Sequence, residues 1–193
     1  MMKDLGYAFV ARYYFEYDKS VAWKNNLTHK EAQDISKAGL NIVAVYQDGG
    51  KNNVNYFTYD QGVKDCKRAI TNAQEVGQRT GTPIYFAVDS GAENKELEKV
   101  KAYFNGVKTT MTSDVNDKWG IGVYGCYSVV NAIYDLLGSS IYIWQTPAWT
   151  IGNPTANYNI YQAQIDLTEH GISIDKDKAN VSKGNDVGGF QVN

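Results

Sequence analysis

The seven residues from Pro83 to Asp89 constrain the fold of this chain more than any other stretch. They form an apolar run rich in β-forming residues, which opens on proline and closes on a carboxylate. Such continuous runs are typical of strands in parallel sheets, because helices cover both faces of those sheets. Ser90 and Glu93 follow with the spacing of a helix capping box. The sequence therefore predicts a buried strand that carries Asp89 at its carboxyl end, with a helix directly behind it.

Six further segments have strand character, and helical patterns separate most of them. The predicted strands cover residues 7–14, 41–47, 83–89, 119–125, 141–145, 159–164 and 171–175. Alternation of strands and helices on this scale indicates parallel βαβ units with right-handed crossovers. Eight such units would close a (β/α)₈ barrel, one more than the sequence supplies. We therefore predict an α/β, TIM-barrel-like fold that is incomplete, with its first strand missing or with the tail at 190–192 filling a gap.

Size and charge narrow the class of protein. The 193 residues suit a single domain, residues 1–193, with no repeat or linker dividing it. A formal net charge of -2 and the lack of a basic stripe argue against a nucleic-acid partner. The sequence contains neither a signal-peptide pattern nor an apolar run long enough to span a membrane. We expect a soluble chain, which is also compatible with the mature or excised form of an exported protein.

Two short motifs suggest ligands, but their context does not support them. Residues 120–125 match the GxGxxG pattern of dinucleotide sites, yet the glycines fall inside a predicted strand rather than in the turn after it. Close packing inside a narrow barrel explains them better. Residues 175–177 begin like a calcium loop, but Asn180 and Asp186 stand where that loop needs glycine and glutamate. The sequence therefore predicts no metal site and no cofactor.

Acidic, amide and aromatic side chains gather at the ends of the predicted strands. In parallel sheets and barrels these ends share one rim, where ligands bind. Two carboxyl groups in an aromatic groove, one protonated and one ionised, are what cleavage of a glycosidic bond requires. The candidate catalytic residues are Asp89 and Asp175, and the candidate substrate-binding residues are Arg12, Tyr13, Tyr46, Gln47, Tyr124, Trp144 and Gln162.

Structural roles compete with these assignments. The two aspartates could instead cap helices or neutralise an internal Arg12. Trp144 and Trp149 are equally compatible with sugar platforms and with ordinary core packing.

These strand-end residues also carry a family resemblance. The segments concerned are 9–13, 38–40 with 45–47, 84–89 and 122–125, together with the late glutamines and aspartate. They resemble the glycoside-hydrolase-like domain once classed as a domain of unknown function, which is related to the family-25 muramidases that cleave bacterial peptidoglycan. The resemblance covers nearly the whole chain. It implies a TIM-barrel-like fold, a carbohydrate partner of the peptidoglycan type and an extracellular or cell-wall-associated location.

The sequence departs from the related muramidases in two places. Their first strand ends in an aspartate, which nothing before Tyr7 can supply here. They carry Asp-x-Glu on the fourth strand, whereas residues 89–91 are Asp-Ser-Gly in this chain. Asp175 resembles the late-strand aspartate of the family. The position that the resemblance assigns to the general acid is therefore empty.

Three hypotheses follow from this pattern. The first is a glycan-cleaving barrel in which Asp89 works with Asp175. Because a general acid contributes typically about 10²–10⁴-fold, that enzyme would be feeble unless Glu93, Glu16 or Asp48 reached the site. The second is a catalytically degenerate barrel that binds cell-wall glycan without cutting it. A third, less favoured, is an intracellular α/β protein that binds a nucleotide or small metabolite.

Overall fold

The computed structural model of this chain describes residues 2–15, 26–113, 118–149, 154–169 and 171–193. Seven strands of the described part form one sheet, and their order in the sheet is their order along the chain. The sheet curls into a half-barrel, which confirms the prediction of an incomplete TIM-like barrel. Among the described residues, no helix combines the length and the apolar character needed to cross a membrane.

All seven predicted strands are present, and four α-helices alternate with the first five of them. The strands are β1 (Phe9–Tyr14), β2 (Asn41–Tyr46), β3 (Pro83–Ala87), β4 (Gly120–Gly125), β5 (Tyr142–Gln145), β6 (Ile160–Glu169) and β7 (Ile172–Ala179). The helices are α1 (His29–Lys37), α2 (Tyr59–Val76), α3 (Lys95–Ser113) and α4 (Tyr127–Leu137).

The curled sheet has an apolar core on each face, because successive side chains of a strand point in opposite directions. On β2, Ile42 and Ala44 belong to the large core under the helices. Val43 and Val45 belong to a smaller cluster inside the half-barrel, together with Tyr85. Burial on both faces explains why the strands read as continuous apolar runs rather than as alternating ones.

The glycines of β4 are explained by packing, as the sequence predicted. A Cβ atom on Gly122 would lie 2.6 Å from a ring carbon of Tyr85. Tyr85 is fully buried and its hydroxyl donates to the carbonyl of Val187 at 3.0 Å. Gly122 therefore makes room for a large ring inside the half-barrel, and the GxGxxG match does not mark a nucleotide site.

One predicted helix start is confirmed and one is wrong. Thr28 caps α1, since its hydroxyl accepts the backbone N–H of Glu31 at 3.2 Å. Ser90 does not cap α3, which begins only at Lys95. The Ser90 hydroxyl is buried and has no hydrogen-bond partner among the described residues.

The last strand runs in the opposite direction to the prediction. Neighbouring strands from β1 to β6 are parallel, but β7 is antiparallel to β6. Residues 170–171 alone connect the two strands, and a parallel connection needs about a dozen residues. The last two strands are therefore a hairpin, not a further βα unit.

The β6–β7 hairpin leans across the open side of the half-barrel. Its register shifts twice, between Gln162 and Gln164 and between Gln164 and Leu167, as at β-bulges, which bend strands. Near the hairpin tip, Glu169 accepts a hydrogen bond from the Tyr7 hydroxyl at 2.7 Å and pairs with Lys176. The hairpin tip is thereby tied to the residues that precede β1.

The tail packs against the sheet but does not replace a missing first strand. Phe190 forms an antiparallel bridge with Ile42, with N···O distances of 2.9 and 3.0 Å. A Cβ atom on Gly188 would lie 2.2 Å from Pro83, at the start of β3. The tail therefore packs beside the amino ends of β2 and β3, and the barrel remains open between β1 and β7.

Candidate active site

A cavity of about 910 Å³ opens within the half-barrel and along its open side. Residues from every strand line it. The predicted site residues that do so are Arg12, Tyr13, Gln47, Tyr124, Trp144, Gln162 and Asp175. The size lies near the upper end of the range for small-molecule sites, and the mixture of aromatic and charged groups is suited to a polar ligand.

Asp89 lies two residues after the end of β3 and is not itself one of the residues that line this cavity. Its carboxylate accepts a hydrogen bond at 3.2 Å from the amide of Gln47, which lines the cavity. Its backbone carbonyl accepts the N–H of Asn52 at 2.9 Å, and the preceding Val88 donates to Tyr124 on the neighbouring strand at 2.8 Å. Contacts to two neighbouring strands or loops therefore fix the carboxylate at the rim.

Asp175 joins the cavity from the middle of β7 and not from a strand end. One carboxylate oxygen accepts the side-chain amide of Gln162 at 2.8 Å, and the other accepts the backbone N–H of Asp166 at 2.9 Å. Gln162 in turn accepts the Tyr124 hydroxyl at 3.1 Å. Asp175 thus stabilises the bend of the hairpin and, through Gln162, connects the hairpin to β4. Asp175 itself is solvent-exposed.

Asp177, two positions further along β7, is the acidic residue that the sequence interpretation missed. It lines the cavity and accepts the indole N–H of Trp144 at 2.8 Å. Burial raises the pKa of its carboxyl from 3.8 to about 7, and the charge of Asp175 adds to the rise, while the Trp144 hydrogen bond opposes it. A carboxyl group with this pKa can be protonated near neutral pH, as a general acid must be.

The negative charges of the acids contribute to raised pKa values at two tyrosines, Tyr13 and Tyr124. Burial raises the pKa of Tyr13, and the charges of Asp89, Asp175 and Asp177 raise it further. Burial likewise raises the pKa of Tyr124, to which Asp89 and Asp177 also contribute. Asp175 and Asp177 line the cavity together with both tyrosines, and the charge of Asp89 also reaches the two tyrosines. Tyr13 is 45% exposed there, so its ring is open to a ligand.

Trp144 lines the cavity but is almost fully covered by its neighbours. Only 6% of the residue is exposed, and its ring packs edge-on against Tyr124, with ring centroids 5.1 Å apart, and against Tyr85. A platform for a sugar needs an open ring face. Trp144 therefore holds the carboxyl group of Asp177 through its indole N–H, and its burial favours this role over that of a sugar platform.

Arg12 lines the cavity, but a partner already neutralises it. Its guanidinium makes two hydrogen bonds to Glu31 of α1, at 2.6 and 3.1 Å. Such bidentate pairs hold both side chains in one geometry. The charge of Arg12 is thus balanced by Glu31 of α1 and not by Asp89 or Asp175.

Tyr46 lies away from the cavity, on the helix side of the sheet. It is 1% exposed, packs against Phe86, and its hydroxyl points towards Asp65 at 3.4 Å. The physical reason is the alternation of β2, because Tyr46 shares its face with Ala44 and not with Val45. The substrate-binding role that the sequence predicted for Tyr46 is therefore not supported by its position.

Two of the three alternative acids, Glu93 and Asp48, are not among the residues that line the cavity. Glu93 is exposed in the loop before α3, and Asp48 pairs with Arg68 at 3.5 Å. Glu16 lies outside the described residues. Within the described part of the chain, no group of three or more histidine, cysteine or acidic side chains has the geometry of a metal site.

The sequence of this chain matches a known protein family. The sequence profile of the Rv2525c-like, glycoside hydrolase-like domain matches residues 1–179. The chain belongs to this family. The assignment confirms the resemblance that the strand-end segments indicated.

Known relatives of this Rv2525c-like domain agree with the fold. The protein YbfG of Bacillus subtilis strain 168 is 41% identical over 96 residues, which are 47% of this chain but 13% of YbfG. The crystal structure of the Tat-secreted protein Rv2525c of Mycobacterium tuberculosis, with L-tartrate, matches with a TM-score of 0.76 and 25% identity, and covers 93% of this chain and 88% of that one. About half of this chain thus matches a small part of YbfG, whereas nearly all of it matches most of the solved Rv2525c chain.

A cell-wall lytic enzyme is also a structural neighbour. The autolysin LytC of Streptococcus pneumoniae, solved with a synthetic peptidoglycan ligand, matches with a TM-score of 0.59 over 90% of this chain and 41% of LytC. The two are 13% identical, so this likeness concerns the fold alone.

Proposed function

We propose that this Rv2525c-like domain cleaves a glycosidic bond in bacterial cell-wall glycan of the peptidoglycan type. Asp177 is the general acid, and Asp89 is the carboxylate that stabilises the oxocarbenium-like transition state. The observation that carries the proposal is the position of Asp177 on the cavity lining, where it accepts the indole N–H of Trp144, while Gln47 of the same lining donates to Asp89. Burial raises the pKa of Asp177 to about 7, which supports a role as proton donor. The proposal moves the partner of Asp89 two residues along β7, from Asp175 to Asp177.

The two carboxyl groups have the different surroundings that this chemistry needs. Asp177 is partly buried, accepts a hydrogen bond from Trp144 and lies near the charge of Asp175, and its pKa of about 7 keeps part of the carboxyl population protonated near neutral pH. That proton passes to the oxygen of the leaving sugar as the glycosidic C–O bond breaks. A water molecule then adds to the oxocarbenium-like carbon and returns a proton to the carboxylate of Asp177, so the acid is restored. Asp89 is oriented by Gln47 and faces the positive charge that develops on the other sugar.

Asp175 acts through its neighbours. Both its oxygens accept hydrogen bonds from β6, and its charge raises the pKa of Asp177. Gln162 connects Asp175 to Tyr124 by hydrogen bonds. Tyr13 is exposed and can contact the substrate. We therefore assign Asp175 and Gln162 to positioning and Tyr13 to contact with the glycan.

The comparisons support the choice of substrate and location. LytC, which shares this fold, was solved with a synthetic peptidoglycan ligand, and Rv2525c is described as Tat-secreted. A cell-wall glycan as substrate, encountered outside the cytoplasm, is consistent with the ligand of LytC and with the secretion of Rv2525c. We extend these properties to this chain as part of the proposal.

Release of reducing ends from purified bacterial cell walls tests the proposal. The wild type should release them steadily, and Asp89→Asn should abolish release while the protein still sediments with the walls. Asp60→Asn is the matched control, because Asp60 is an exposed aspartate in the first turn of α2. Equal release by the wild type and Asp89→Asn would contradict the proposal.

One observation favours the alternative function of a glycan-binding module without catalysis. Gly91 occupies the position where the related muramidases carry a glutamate, and a Cβ atom there would lie 2.9 Å from the Cβ of Trp149. A glutamate therefore cannot occupy this position without displacing Trp149. Sedimentation with cell walls and no release of reducing ends by the wild type would support this second function.

A further inference from the structure

Trp149 is an exposed tryptophan in the loop after β5. It is 43% exposed, whereas Trp119 and Trp144 are 5% and 6% exposed. Large rings are normally buried, because their apolar area contributes most when it is removed from water. An open indole beside a candidate active site therefore calls for a reason other than core packing.

The backbone at Trp149 is held in an unusual conformation. Its φ angle is +62°, in the left-handed region that bulky residues rarely adopt. The loop before it is anchored, because Thr146 donates its backbone N–H to Gly125 at 3.0 Å and its hydroxyl accepts the N–H of Ala148 at 3.2 Å. Conformations of this kind persist where the surroundings impose them, and they concentrate at functional sites.

The loop places the tryptophan against Gly91. A Cβ atom on Gly91 would lie 2.9, 3.0 and 3.1 Å from the Cβ, Cγ and Cδ1 atoms of Trp149. Only glycine leaves room for the side chain at this position. Gly91 follows Asp89 by two residues, so their Cα atoms are at most ~7 Å apart. The indole thus packs on the same short loop that carries the rim carboxylate.

We propose that Trp149 is a stacking platform for a sugar ring of the glycan, in a subsite next to Asp89. The flat C–H face of a pyranose ring covers the open face of the indole, and the polar hydroxyl groups of the sugar stay in water. The ligand class is an oligosaccharide derived from the cell wall, and the inference rests on the proposed function for its substrate. Gly91 belongs to the subsite, because it sets the position of the indole.

Isothermal titration calorimetry with peptide-free cell-wall oligosaccharides of increasing length measures the binding affinity and tests the platform. Trp149→Gly removes the ring and suits the positive φ angle, so the loop can keep its conformation. We expect about tenfold weaker binding for Trp149→Gly, and for Trp149→Phe a loss of less than about threefold. Val181→Ala is the control and should bind like the wild type. Val181 is 79% exposed and begins the short 3₁₀ helix that follows β7.

A double-mutant cycle tests the role of Gly91. Gly91→Ala should crowd Trp149 off its position and weaken binding by about the same factor as loss of the ring. In the Trp149→Gly background, Gly91→Ala should have no further effect, because the crowded atoms are gone. Additive losses for the two substitutions would overturn the coupling of Gly91 to the indole.

The outcomes separate this inference from the proposed function. If the wild type binds and cleaves glycan and Trp149→Gly binds it equally well, the platform is overturned and the catalytic proposal stands. If Trp149→Gly weakens binding but the wild type cleaves nothing, the platform stands and the catalytic proposal falls. If the wild type binds no oligosaccharide of any length, both are overturned.

Discussion

Two aspartates on opposite faces of the sheet have raised pKa values, and their surroundings differ. Asp65 lies on α2 and is 1% exposed. It accepts hydrogen bonds from Tyr56, Tyr103 and Gln61, at 2.8, 2.9 and 2.6 Å. Asp177 lies on β7 at the cavity and accepts its hydrogen bond from Trp144.

The comparison shows that burial alone does not make a catalytic acid. Burial is the largest cause of the raised pKa at both residues. Hydrogen bonds from Tyr56, Tyr103 and Gln61 oppose the rise at Asp65, whereas the hydrogen bond from Trp144 opposes it at Asp177. The charge of a second aspartate strengthens the rise at both sites, Asp48 at Asp65 and Asp175 at Asp177. Asp65 is therefore a structural acceptor that joins α2 to its neighbours, and Asp177 is an acid that a ligand can reach.

The largest expected effect is on turnover. Asp177→Asn removes the proton donor, so we expect the release of reducing ends to fall by about 10²–10⁴-fold. Binding of wall oligosaccharides should change little, since the amide keeps the shape and the oxygen that accepts the Trp144 N–H. The measurement is the initial rate of release at saturating substrate, at pH 6.

Asp65→Asn serves as the matched comparison for this experiment. It replaces a carboxyl group with a raised pKa that does not face the cavity, so the rate per folded molecule should stay near that of the wild type. A similar loss of rate in both variants would mean that the position at the cavity does not distinguish the two acids.

The second prediction concerns stability against pH. The pKa of Asp177 is about 7 in the folded protein, against an ordinary value of 3.8. Between these values the folded protein keeps a proton that the unfolded chain has lost. The contribution of Asp177 to stability is therefore complete below pH 3.8 and is lost as the pH rises through 7. Each unit of that interval corresponds to about 1.4 kcal/mol.

Urea unfolding from pH 4 to pH 8 measures this dependence. The free energy of unfolding of the wild type, minus that of Asp177→Asn, should fall steadily up to about pH 7 and then level off. A difference that does not change with pH would show that Asp177 titrates normally and would remove the basis of its acid role.

The third prediction concerns the hydrogen bonds of Asp65. Asp65→Asn replaces one acceptor oxygen with an amide that cannot accept from Tyr56 or Tyr103. We expect the free energy of unfolding at pH 7 to fall by about 1–3 kcal/mol. Asp60→Asn on the same helix, where the aspartate is exposed, should change it by less than about 0.5 kcal/mol. Equal losses at the two positions would contradict the structural role of Asp65.

Much of the fold follows from the sequence because local signals agree with the tertiary arrangement. The apolar runs of β2 and β3 are continuous, as burial on both faces requires, and Cys66, Ile70 and Ala73 fall on the buried side of α2 as helical spacing predicts. These elements could be placed from the chain alone. The position of Asp89 at the rim followed from them.

The hairpin and the acid that it carries could not be placed in the same way. The direction of β7 depends on the short connection at 170–171, whose length does point to a hairpin. Asp175 and Asp177 are two positions apart, which puts both on one face of a strand. That spacing is a usable signal for a pair of acids. The pKa of Asp177 depends on burial by the bent hairpin, which no local pattern encodes.

The smallest expected effect separates Asp175 from Asp177. Asp175→Asn removes the charge that raises the pKa of Asp177, so the alkaline limb of the rate against pH should move to lower pH by less than about one unit. Asp166→Asn changes the same charge on the same hairpin, at an exposed side chain that does not contribute to that pKa, and should leave the limb in place. If Asp175→Asn instead abolished turnover at every pH, Asp175 itself would be a catalytic group. The two acids of β7 would then share the role that we assign to Asp177.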